Sequence, residues 1–201
     1  MTRILPIIEG DGDFAAVPEL IRRVAHQYGR FDVQVCRPHK RGDLPKVLGR
    51  FEDFFKTALL ERCPILWVLD YDCAECTDQA RHVAELRARG AALANGIAFE
   101  FVFLVQEFET LFLADHETTR RVFPDIGTAK AFPENPERVR DAKGWLSEAR
   151  PKGSAYKPTQ HQQKLSSQVD LGRLRERSPS YVRFERAVQV LLGPSEPLLA
   201  A

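Results

Sequence analysis

The sequence predicts an α/β fold, a mainly parallel sheet of four strands flanked by helices and followed by a helical, loop-rich C-terminal extension. Three observations carry this. Strand-like runs alternate with stretches of helical spacing, the order that builds a parallel sheet with right-handed crossovers. One run, Ile65-Leu66-Trp67-Val68-Leu69, is apolar throughout, as a central strand buried on both faces must be. After Asp115 the strand signals stop, and Pro124, Pro133, Pro136, Pro151 and Pro158 punctuate the remainder.

Each element has its own warrant. Arg3 to Ile8 is an apolar run ending in Glu9-Gly10-Asp11-Gly12-Asp13, a strand that meets a tight glycine turn. Phe14 to Tyr28 carries Val17, Leu20, Ile21 and Val24 at helical spacing and stops at Gly29. Phe31, Val33 and Val35 alternate as a second strand. Leu44 to Glu61 returns to helical spacing through Val47, Phe51, Phe54 and Phe55. Pro64 opens the buried third strand, which ends in Asp70-Tyr71-Asp72, and Glu75 to Arg89 is a charged amphipathic helix. Ile97 to Val105 is a fourth strand, with Phe99, Phe101 and Phe103 on one face. It leads through Gln106-Glu107-Phe108-Glu109 into a helix that reaches Asp115. Ser180 to Leu192 reads as a last helix. The expected organisation is a core over 1–115 and a basic helical extension over 116–201 packed on it.

Composition narrows the class. With 201 residues, 44% hydrophobic and 28% charged, the chain is globular and long enough to bury a full core. No apolar run has the length of a membrane span, nothing at the start resembles a signal peptide, and four cysteines make no secreted framework, so the cytoplasm is the expected compartment. The lysines and arginines are uneven. Residues 117–193 carry a formal +6 and the rest −5, which suits phosphate binding by one part and metal binding by the other, or equally two solvated surfaces. In the basic part Tyr156, His161 and Tyr181 alternate with Lys157, Lys164, Arg173, Arg175, Arg177 and Arg183, a composition able to stack bases and hold phosphates. Gly10 and Gly12 are followed by no Gly-Lys-Ser/Thr, which excludes a P-loop. Cys73-x-x-Cys76 has no second pair to complete a structural zinc site.

The acids carry the chemistry. In a parallel sheet, ligands sit beyond the carboxyl ends of the strands. Glu9 ends the first strand, Asp70 and Asp72 the third, and Glu107 and Glu109 the fourth, so acids from three strand ends converge on one edge. Two residues apart on extended backbone, Asp70 and Asp72 point to one face. Crowded carboxylates repel one another and raise their pKa values, and a hard cation with oxygen ligands relieves that. Asp13 is either a further ligand or the cap of the helix that follows it.

The segment Ile7-Ile8-Glu9-Gly10-Asp11-Gly12-Asp13 is similar to the start of Toprim domains, the fold shared by topoisomerases, primases and OLD-type nucleases. Asp70-x-Asp72, closing a buried strand, resembles the second Toprim motif. Within that superfamily the chain looks like a small bacterial family of unknown function, often encoded beside an AAA-type ATPase. The further pattern is Gln106-Glu107-Phe108-Glu109 to Leu113-Ala114-Asp115, Asp141-Ala142-Lys143, Tyr156-Lys157-Pro158-Thr159 and Ser178-Pro179-Ser180-Tyr181. Asp13 stands where that family usually carries Glu, and Leu111-Phe112 where it often carries Trp.

The resemblance implies metal-dependent phosphodiester chemistry on DNA or RNA, serving defence against phage or mobile elements. Glu9 would be a ligand or the general base. Asp70 and Asp72 would hold Mg2+ or Mn2+, with Asp13, Glu107 or Glu109 completing a second site. Lys143 or Lys157 would stabilise charge on the phosphorane. A small-phosphoester hydrolase, and a non-catalytic sensor or latent partner of an ATPase, are the competing expectations.

Overall fold

The computed structural model describes residues 1–73, 77–127 and 130–194. Glu75 and Cys76 lie outside the described residues. The strands are β1 (Thr2–Ile8), β2 (Val33–Val35), β3 (His39–Lys40), β4 (Ile65–Tyr71) and β5 (Phe99–Val105). They form one parallel sheet in the order β2-β1-β4-β5, with β3 also paired to β1. The helices are α1 (Asp13–Gln27), α2 (Leu44–Leu59), α3 (Gln79–Ala91), α4 (Thr110–Ala114), α5 (His116–Val122), α6 (Ala142–Glu148), α7 (Pro158–Ser166), α8 (Leu171–Arg177) and α9 (Pro179–Leu192). A 3-10 turn covers Pro136–Arg138. Among the described residues no helix is long and apolar enough to cross a membrane.

The four expected strands are present and parallel. The second is shorter than its alternation suggests. Phe31 lies outside it, 75% exposed, with its ring 5.1 Å from that of His26. The sequence reading missed β3, and two prolines account for the broken edge. The Cys36 amide donates to the Ile4 carbonyl and the Arg41 amide to the Ile8 carbonyl, so the even positions of β1 face β2 and β3. The rung between them would join Pro6 to Pro38, and neither residue has an N–H to give. The neighbouring strand therefore splits in two.

Alternation divides the core between the two faces of the sheet. Leu5, Ile7, Ile65, Trp67, Leu69, Phe101 and Phe103 pack against Val47, Phe51, Phe54 and Phe55 of α2 and Leu86 of α3. Ile4, Ile8, Leu66, Val68, Val102 and Leu104 pack against Val17, Leu20, Ile21 and Val24 of α1. The same cluster continues without a break into Leu146 of α6, Leu165 of α7, Leu174 of α8, and Tyr181, Phe184, Val188 and Leu191 of α9. The C-terminal helices thus cover one face of the sheet together with α1.

Candidate metal centre

Because all strands run one way, their carboxyl ends share one edge, and the acids gather there. Asp70 occupies the penultimate position of β4, on the α1 side of the sheet, and is buried. The Phe108 amide donates to its Oδ1 at 2.9 Å, which fixes the turn after β5 against β4. Glu9 follows β1 directly and is partly buried, with its Oε2 enclosed and without a hydrogen-bond partner. Glu109 is fully buried, and neither of its carboxylate oxygens has a hydrogen-bond partner. Asp13 accepts from the Gly10 amide at 2.9 Å and from Gln162 Nε2 at 2.8 Å. It closes the Glu9–Asp13 loop on itself and caps no helix amide.

These groups line a cavity of about 260 Å3 between Glu9, Asp13, Asp70, Glu109, Lys143 and Gln162. Burial raises the carboxyl pKa of Glu9 to about 7, helped by the nearby charges of Asp72 and Asp13. Burial, with Asp13, Glu9 and Glu109 close by, pushes Asp70 well above the usual carboxylate range. Glu109 is pushed up to about 7, again chiefly by burial, against the opposing pull of Lys143. Burial likewise raises Asp13, although its hydrogen bonds pull the other way.

Lys143 answers part of this charge. Its Nζ lies 3.2 Å from Glu107 Oε1, 3.9 Å from Glu109 Oε2 and 4.0 Å from Asp70 Oδ2. Burial pulls its pKa down, but the three carboxylates outweigh that and hold the ammonium charged. Its backbone amide donates to Glu107 Oε2 at 3.0 Å, so Glu107 grips both ends of one residue. Asp141 caps α6 through the Gly144 amide at 2.7 Å and sets where Lys143 emerges.

The remaining expected residues divide. Asp72 lies just past the end of β4 and is exposed at the rim, so the Asp pair does not share one environment. Glu107 is near the cluster but its oxygens are taken by Lys143. Lys157 is not brought to the acids. It is exposed before α7, its amide donates to His161 Nδ1 at 2.9 Å, and its ammonium has no ion pair among the described residues. The stacking surface expected around Tyr156 and Tyr181 does not form, because both rings are buried in the core. Arg173 pairs with Asp115 and Glu117, Arg175 with Glu185, and Arg177 with backbone carbonyls and His116. These three arginines of the expected surface are therefore engaged within the fold.

One contributor was missed, and another was assigned a different role. Gln162 orients Asp13. The sequence reading singled out its neighbour His161, but helical spacing with Leu165 and Ser166 puts Gln162 on the buried face. Tyr156 brings a buried hydroxyl beside Glu109, and burial first, then that carboxylate, raises its pKa.

The donor set is chemically suited to a hard cation, having crowded carboxylates and enclosed oxygens without hydrogen-bond partners. As placed, no group of three or more His, Cys, Asp or Glu side chains among the described residues is arranged to hold one ion, and the Lys143 ammonium stands beside three of the acids.

No curated protein matches the sequence. Among solved structures, the C-terminal region of the Xanthomonas campestris pv. campestris OLD protein is 15% identical, over 94% of this chain and 96% of that one, with a TM-score of 0.46. The C-terminal region of the Burkholderia pseudomallei OLD protein is 13% identical, over 96% and 98%, with a TM-score of 0.46. A family model described as a domain of unknown function (DUF4276) matches residues 8–189, nearly the whole chain, and the chain belongs to that family.

Proposed function

We propose that the chain is a divalent-metal-dependent nuclease that hydrolyses phosphodiester bonds of DNA or RNA. The observation that carries this is the set of buried carboxylates at the carboxyl edge of the sheet, with oxygens of Glu9 and Glu109 enclosed and without hydrogen-bond partners. Glu9, Asp13, Asp70 and Glu109 would hold Mg2+ or Mn2+, with Asp72 reaching in from the rim. The metal would lower the pKa of a bound water and neutralise charge on a phosphoryl oxygen. Glu9, which lines the cavity and is partly buried, would serve either as a ligand of that metal or as the general base. Lys143 supplies a fixed positive charge at the same edge, useful where negative charge develops. The Toprim resemblance of the Glu9 and Asp70-x-Asp72 segments supports the same chemistry. It also extends the reading to a partner AAA-type ATPase and to defence against phage or mobile elements.

The test is a calorimetric Mn2+ titration of wild type and Asp70→Asn, with cleavage assays on plasmid and tRNA. Wild type should bind Mn2+, Asp70→Asn should bind far more weakly, and Glu9→Gln should lose cleavage while melting as wild type does. Equal Mn2+ binding by wild type and Asp70→Asn, or full activity in Glu9→Gln, contradicts the proposal.

A second reading has one observation in its favour. Lys143 already neutralises part of the cluster, as a latent subunit awaiting a trigger would require. In that case wild type binds no Mn2+ alone, and Lys143→Ala does.

A further inference from the structure

We infer that the open edge of β5, sunk between α3 and α9, is a docking groove for an extended acidic segment of a partner protein, which joins the sheet as an added strand. β5 is last in the strand order, so one side of its backbone has no neighbouring strand. The Ile65 amide donates to the Ala98 carbonyl, and alternate residues of a parallel ladder bond the same neighbour, so even positions of β5 face β4. Phe99, Phe101, Phe103 and Val105 turn their backbone groups outward. Side chains serve the far end of that edge. Ser180 Oγ accepts from the Val105 amide at 3.0 Å, and the Phe103 carbonyl accepts from Gln79 Nε2 at 3.2 Å and Arg183 Nη2 at 3.5 Å. The amide and carbonyl of Phe101 and the amide of Phe103 have no partner among the described residues. An edge of this kind is a template for strand pairing unless it is covered or blunted.

The walls suit an extended peptide. The groove encloses about 660 Å3, with Val83 and Ala84 of α3 facing Ala187 and Val190 of α9 across the β5 edge. Val190 is 54% exposed, an apolar side chain left in water beside an open strand. The charge is one-sided. Arg87, Arg183 and Arg186 line the groove, and Glu100, paired with Arg87, is the single acid among the lining residues. Arg183 Nε is enclosed without a partner, and Arg186 makes no ion pair among the described residues. Backbone pairing gives such a site its affinity, alternate side chains give it selectivity, and here the excess of arginine over acid, with Arg186 outside any ion pair among the described residues, selects carboxylates. A second copy of the chain paired β5 to β5 would bring these arginines against one another, which argues for a different, acidic partner. The inference is independent of the metal chemistry.

The experiment uses the full chain and two fluorescein-labelled peptides, one alternating Glu with Val and the other Lys with Val. Binding is read by anisotropy and the site by amide hydrogen exchange. The acidic peptide should bind, in the range of about 1–100 μM expected for a short added strand, and should protect the Phe101 and Phe103 amides. Arg186→Glu and Ala84→Glu, exposed changes on opposite walls, should each weaken binding about tenfold or more. The inference is overturned if the acidic peptide does not bind, if the basic peptide binds as well, or if the two amides stay unprotected. Wild-type affinity in both variants, or the same protection arising from self-association without peptide, overturns it equally.

Discussion

Asp115 shows how a single carboxylate joins distant parts of the chain. It is fully buried and caps α5 through the Thr118 amide at 3.2 Å. It also accepts from the Asp170 amide at 2.6 Å and from Arg173 Nη1 at 3.2 Å. Burial alone would raise its pKa, yet these donors together hold it below the ordinary 3.8. The folded state therefore favours the charged form. The resulting stabilisation is complete above the unfolded value and is lost as pH falls through the lower folded one. Asp115→Asn, which leaves the Asp170 amide facing another donor, should cost about 3 kcal/mol at pH 7. The gap to wild type should narrow as pH falls below about 4, where the unfolded carboxyl protonates first, until the native carboxyl protonates at lower pH. Urea melts of both proteins across that range check this, and a pH-independent gap contradicts it.

At the scale of elements, the approach of α7 to the Glu9–Asp13 loop shapes the cavity. A Cβ on Gly12 would lie 2.0 Å from Gln162 Oε1 and 2.6 Å from Pro158 Cβ. Gly12 is thus required by a close contact with α7. Gly12→Ala must push α7 away and should destabilise the protein by about 1–3 kcal/mol. It should also weaken Mn2+ binding, because Gln162 would leave Asp13. Gly10→Ala, whose Cβ would meet only Asp13 Oδ2 at an ordinary 3.7 Å, is the matched control and should be milder. Equal melting of the two variants contradicts this account. The start of α9 is a second junction. Ser178 caps it through the Tyr181 amide at 3.1 Å, and Glu137 accepts from the Ser178 hydroxyl and the Ser180 amide. The weak late motifs around Asp141, Pro158 and Ser178 all fall at such junctions, which a reading of periodicity cannot rank.

At the scale of the molecule, the division into 1–115 and 116–201 meets a continuous core. The apolar cluster on the α1 face takes residues from both sides of Asp115, from Ile4 to Leu192. Arg23 of α1 donates to the carbonyls of Ser166 and Val169, both at 2.6 Å, and Arg30 donates to the Leu192 carbonyl at 2.8 Å. We therefore expect a 1–115 fragment to expose the α1 side of its sheet and to behave as a collapsed, dye-binding state. Dispersed NMR spectra and a cooperative melt from that fragment would show that the extension is an appendage after all.

The sequence by itself determined four of the five described strands, their parallel direction and the carboxyl edge as the place of the acids. These follow from local apolar patterning and from the chirality of the chain, which act wherever the segments lie. It also placed Glu9, Asp70 and Glu109 in one region, because each lies at or shortly after the carboxyl end of a strand. Only the tertiary structure decided which acids are buried. Asp70 and Asp72 look equivalent in the sequence, yet one is enclosed against the Phe108 amide and the other stands in solvent. It also decided which of the two lysines meets the acids, because α6 emerges beside Glu107 and the Lys157 side chain faces water. The basic C-terminal part read as one stacking and phosphate-holding composition, whereas the fold buries Tyr156 and Tyr181 and pairs Arg173 and Arg175 with acids. Burial and partnership depend on contacts between residues far apart in the chain, and neither spacing nor charge count carries that information.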